Sequence, residues 1–145
     1  MEKWVLYALI SMVFAGFTSV IAKMGLTGIS GEVGLTVRTV FVAVFIGIFA
    51  VMFVKASELQ ELTRSNYLWL GLSGITTAMS WIFYYKALKD GEVSTIALID
   101  KGSFVVAIVL AWVILREQIT PRVLLGCVMI VSGLLVVAYR PAATG

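Results

Sequence analysis

Residues Val93–Leu115 read VSTIALIDKGSFVVAIVLAWVIL, an apolar run of membrane-spanning length with Asp100 and Lys101 side by side inside it. About 20 mainly apolar residues carry a helix across a bilayer. A charge at the centre of such a helix costs about 2.5–3.5 kcal/mol on insertion scales. A plain anchor has no use for two of them. The default reading is a buried polar site, and in a multi-span protein such a site serves a solute or proton path.

The rest of the chain agrees with a membrane setting. Of 145 residues, 61% are hydrophobic and only 13% charged, with a mean hydropathy of +1.04. A soluble domain is about 25% charged. The longest polar stretch, Lys55–Asn66, is too short to bury a core. The net charge of +3 is scattered along the chain, so a nucleic-acid footprint is not supported. Cys127 is the sole cysteine and there is no His, which excludes an intrachain disulfide and argues against a Cys/His metal site. Cys127 reads as a small packing residue. With no His, no Ser or Cys dyad and no phosphate-binding glycine loop, an enzyme is the least supported class, and no cofactor is expected.

Five apolar segments are long enough to cross: Trp4–Ala22, Val33–Val54 (interrupted by Arg38), Tyr67–Leu88, Val93–Leu115 and Pro121–Tyr139. Backbone polar groups must be satisfied inside the bilayer, so helices are the expected form. The alternation of a barrel strand is missing. The predicted fold class is all-α, a polytopic membrane helix bundle with five transmembrane helices. No small-residue cleavage site follows a short apolar core near the start, so the first run is expected to stay as the first span. Ser57 and Glu58 head an expected short interfacial helix, SELQELTRSNY. Gly91 is the expected C-terminal cap of the third span, and Thr120-Pro121 fit the N-cap and first turn of the fifth. Pro141 follows the last span, and the tail PAATG is expected to fray.

Small residues recur at helical spacing: Ser11, Ala15, Ser19 and Ala22 on the first span, Thr39, Ala43, Gly47 and Ala50 on the second. Such stripes let helices approach closely in lipid. On the fourth span the small face of Ala97, Ser103, Ala107 and Ala111 also carries Asp100.

With the N-terminus inside, Lys3, Lys55, Arg64, Arg116 and Arg122 lie inside, and Lys23, Lys86, Lys89 and Arg140 outside. That bias is slight. Two readings follow. A single orientation is one; insertion both ways, giving an antiparallel pair like the inverted repeats of secondary transporters, is the other.

The same threading starts the second and fourth helices on one side. Arg38 and Asp100 then lie roughly 8–10 Å below that end, which predicts an Arg38–Asp100 ion pair with Lys101 and Lys86 nearby. Pairing lowers the cost of both charges. Lys86 and Lys101 have a second reading, as long side chains that snorkel to the interface. Tyr84 and Tyr85 fit a pocket wall, with Trp81, or an aromatic belt. Asp100 is too short to snorkel and needs a buried partner or a protonated state.

The run from Tyr84 to Val137, with Tyr84, Tyr85, Gly91, Ser94, Asp100, Lys101, Glu117, Thr120, Pro121, Gly126 and Gly133 in order, resembles the EamA-type domain of the drug/metabolite transporter superfamily. Upstream, AKMGLTGIS with Lys23 and TVRTVFV with Arg38 are similar to that family's first link and second helix, so the resemblance covers nearly the whole chain. It implies one five-helix EamA-like domain over residues 1–145, half the size of two-unit relatives. It also implies a homodimer, antiparallel or not, that completes a central cavity. Two departures stand out. Arg116 occupies a position where the family often has Gly, which puts a tight turn there in question. The first helix has no acid past Glu2, so the membrane Glu of the related small multidrug-resistance proteins has no counterpart.

The expected function is a secondary transporter of a small metabolite or drug-like solute in the inner membrane of a prokaryote. Asp100 would couple or organise, Arg38 would be its partner, Lys101 and Lys86 would add cationic contacts, and Tyr84, Tyr85 and Trp81 would be walls. Its partners would be the solute, the lipid bilayer and a second copy of the chain, with no nucleic acid. A flippase subunit for lipid-linked sugars and a non-transporting membrane scaffold are the alternatives.

Overall fold

The computed structural model describes residues 3–138. The expectations for Tyr139, Arg140, Pro141 and the tail lie outside the described residues. Seven helices follow in order: α1 Lys3–Gly25, α2 Gly31–Phe53, α3 Ala56–Gln60, α4 Arg64–Asp90, α5 Val93–Lys101, α6 Ser103–Ile114 and α7 Pro121–Ala138. Among the described residues there is no strand. The helices α1 and α2 and the α5–α6 run are long and apolar enough to cross a membrane; α7 is apolar but shorter. The fold is an all-helical one built for a membrane. Most large apolar side chains point outward, as they do when lipid replaces water.

Local chemistry sets the helix starts. Ser30 caps α2, its hydroxyl accepting from the Val33 amide at 3.3 Å, and Glu32 in the first turn suits the positive end of the helix. Thr120 caps α7 in the same way, through the Val123 amide at 3.4 Å, with Pro121 first in the helix as expected. The third span begins earlier than its apolar run. Thr63 donates its amide to Asn66 Oδ1 at 2.9 Å and receives the Asn66 amide on its hydroxyl at 3.3 Å. This reciprocal cap starts α4 at Arg64 and cuts the expected interfacial helix down to the five residues of α3.

The chain forms two compact units, one of Val20–Asp90 and one of the described residues up to Ser19 and from Gly91 onward. In the first, α2 packs along α4. The contact is closest at Gly31, where a Cβ would stand 2.8 Å from the Tyr85 carbonyl oxygen and 3.0 Å from its carbon. Leu26, Tyr85 and Leu88 are buried around this point, and the Leu26 side chain fills the space beside Gly34 that a larger residue would take. Lys23 at the end of α1 donates to the last carbonyls of α4, Leu88 at 2.6 Å and Lys89 at 3.0 Å. Lys89 answers by donating to the Leu26 carbonyl at 3.2 Å. Helix ends leave such carbonyls without partners, and a cation is the favoured one.

In the other unit α5 packs on α7 and continues into α6. The expected fourth span is therefore two helices. They part at Gly102 (φ −58°, ψ −19°), whose amide reaches Ile99 O at 2.9 Å in a tightened, 3₁₀-like turn. A Cβ at Gly102 would lie 2.9 Å from that same carbonyl oxygen. The helix α4 stops at Asp90, directly before Gly91 as expected, though Gly91 is not left-handed; among the described residues the positive φ angles are those of Gly28 (77°) and Arg116 (54°). Arg116 thus makes the tight turn that its side chain disfavours, with the Glu117 amide returning to the Ala111 carbonyl at 3.2 Å.

Two outcomes follow for stability. Gly31→Ala forces α2 off α4 and should destabilise by about 1–3 kcal/mol, read as a lowered thermal midpoint of the purified protein in detergent. Gly47→Ala, which meets nothing within 4 Å, is the control that should not lower it. Arg116→Gly relieves a left-handed residue and should raise the midpoint, by about 1 kcal/mol in stability; an unchanged or lower midpoint would show that Arg116 holds this turn by other contacts.

Candidate functional site

Seven residues past the start of α2, Arg38 reaches across to α4. Its Cζ lies 4.1 Å from the Trp81 ring centroid and 5.8 Å from that of Tyr85, both within cation–π range. Tyr84 meets Tyr85 edge-on, centroids 6.3 Å apart. Tyr85 is itself buried, so the guanidinium rests on a fixed aromatic floor. Its Nη1 is buried and has no hydrogen-bond partner. A guanidinium carries donors only, and a buried donor left unpaired is costly. The arrangement is a cation held in place and short of an acceptor, chemistry that suits a carboxylate or other anion.

On the same pair of helices runs a groove of about 1010 Å³. Trp81 is one of its walls, with small residues such as Thr39, Ala43, Gly74 and Ala78 making the room. Glu32 and Lys86 lie on it as an ion pair, Nζ to Oε1 3.4 Å, both side chains more than half exposed.

Asp100 and Lys101 belong to the other unit. They sit in the last turn of α5, just before the break at Gly102. Their charged ends are 4.0 Å apart, a loose contact between helix neighbours that project in different directions. Asp100 is 39% and Lys101 58% exposed at the side chain. Lys101 also borders a cavity of about 620 Å³ between the α5–α6 break and α7, where Gly133 and Leu134 face it.

The structure gathers Arg38, Trp81, Tyr85 and Tyr84 into one cluster, whereas the sequence sets Arg38 against Asp100 and leaves Tyr84 and Tyr85 as pocket wall or aromatic belt. It gives Lys86 a different companion. Glu32 was not among the expected site residues, although it stands in the first turn of α2 at the level where Lys86 was expected. That shared level was the available signal. Arg38 and Asp100 fall in different units.

Residues 2–139 match the EamA-like transporter family. The chain is 31% identical over 137 residues, 94% of its own length and 97% of the relative's, to an uncharacterized transporter in the cobO 3' region of Sinorhizobium sp. No solved structure matches the chain. With three of the described helices long and apolar enough to cross a membrane and the family spanning almost every residue, this multi-pass membrane protein belongs to the EamA-like transporter family and is a transporter, not an enzyme.

Proposed function

We infer that the chain is one five-span unit of a secondary transporter in the inner membrane of a prokaryote, moving a small metabolite by alternating access. Helix length supports the two spans beyond the three most apolar ones. The 27 residues of α4 extend roughly 40 Å and the 18 of α7 roughly 27 Å, against about 30 Å of hydrocarbon. A second copy of the chain completes the cavity, with the slight charge bias allowing an antiparallel partner.

The observation that carries the reading is the buried, unpartnered Nη1 of an Arg38 fixed on Trp81. A membrane helix that keeps such a group needs an anion for it. Asp100 stands seven residues past the first residue of its helix, as Arg38 does in α2, about 10 Å along each axis. Asp100 is the internal anion in this reading and alternates with the solute for the guanidinium. Lys101, beside Asp100, adds a cation. Trp81, Tyr84 and Tyr85 form the wall. One acid with two bases favours an anionic or zwitterionic solute over a lipophilic cation. Lys86, held by Glu32, stands outside this set.

Proteoliposomes holding the wild-type chain, screened with anionic and zwitterionic metabolites, identify the solute. Asp100→Asn should then abolish its transport while membrane insertion and thermal stability persist; normal transport by that variant removes Asp100 from the mechanism. Arg38→Lys keeps the charge but loses the planar fork and its stacking. Transport should fall by about tenfold or more, and a wild-type rate would show that any cation suffices there.

A further inference from the structure

The groove along α2 and α4 has features that the solute path does not use. Its ionic end is Glu32, in the first turn of α2, opposite Lys86, about one turn before the end of α4. Helix ends of this kind lie at the headgroup level of a bilayer, and an exposed ion pair there is weak and open to other charges. From Glu32 to Ala43 the groove follows α2 for eleven residues, roughly 16 Å, which is the length of much of a fatty acyl chain. The threonine hydroxyls along it are already donated to helix carbonyls. Thr36 donates to the Glu32 carbonyl, Thr39 to Leu35 and Thr77 to Ser73, each at 2.8 Å. What they offer the groove is methyl surface. A polar solute finds few donors there, and hydrocarbon finds a matched wall.

We propose that this groove binds a phospholipid whose headgroup carries a primary ammonium beside its phosphate, of the phosphatidylethanolamine kind. Glu32 takes the ammonium, Lys86 takes the phosphate, and one acyl chain lies against Thr39, Ala43 and Gly74. The four charges alternate in sign around the headgroup, and the Glu32–Lys86 contact persists. An anionic headgroup without an amine satisfies Lys86 alone and sets its phosphate against Glu32. The site does not include Asp100, and it meets the solute wall at Trp81.

Trp81 lines the groove and reports on it. The test uses the full chain with Trp4, Trp69 and Trp112 changed to Phe, purified, stripped of lipid and held in detergent. Phosphatidylethanolamine brominated on its acyl chains quenches a tryptophan that it touches. It should quench Trp81 at about one tenth of the concentration needed by phosphatidylglycerol with the same chains. E32Q should erase that preference, and the swapped pair E32K with K86E should restore it. Native mass spectrometry of the unaltered chain and of E32Q, scored for retained phosphatidylethanolamine over phosphatidylglycerol, gives the same comparison without the tryptophan changes. Equal quenching by both lipids, or a preference that survives E32Q, overturns the proposal. So does displacement of the lipid by free L-leucine, which would make the groove a site for a soluble zwitterion.

Discussion

Gly31 allows the first turn of α2 to lie directly on the backbone of α4 at Tyr85, and the placement of the arginine follows from that contact. In lipid, apolar burial gives helices little net reason to associate, so close backbone approach and polar contacts decide where they touch. With Gly31 against Tyr85, the side chain of Arg38, two turns on in α2, lays its guanidinium over Trp81, one turn earlier than Tyr85 in α4. A side chain at Gly31 would lift α2 and open the stack.

Around that contact, polar groups at the helix ends hold the register. Lys23 and Lys89 exchange donors with each other's neighbouring carbonyls, closing the ends of α1 and α4 together, and Glu32 meets Lys86 beside them. Leu26, Tyr85 and Leu88 are packed inside this ring. A few buried side chains suffice because the bilayer, not a large core, is the medium for the rest of the surface.

The other unit spends its irregular geometry near its charges. The helix that carries Asp100 tightens into a 3₁₀-like turn one residue after Lys101, and a left-handed arginine follows the end of α6. Gly102 suits the tightened turn because even a methyl group there would press on the Ile99 carbonyl.

Hydropathy alone determined that the chain crosses a membrane as helices, and it placed their centres within a few residues, because a bilayer fixes both length and polarity. The order of motifs from Tyr84 to Gly133, with Lys23 and Arg38 upstream, gave the family. Depth in the sequence set Trp81, Tyr84 and Tyr85 near the level of Arg38, but that Arg38 stacks on Trp81 and Tyr85 followed only from the packing of α2 on α4. Boundaries at Thr63 and Gly102 depended on side-chain caps and turn geometry that an apolar run conceals. Only the tertiary structure decided which partner each charge takes, pairing Lys86 with Glu32 and leaving a nitrogen of Arg38 open. That choice depends on the rotation of one helix against another, which in this protein is set by the close approach at Gly31 and not by any pattern within a single segment.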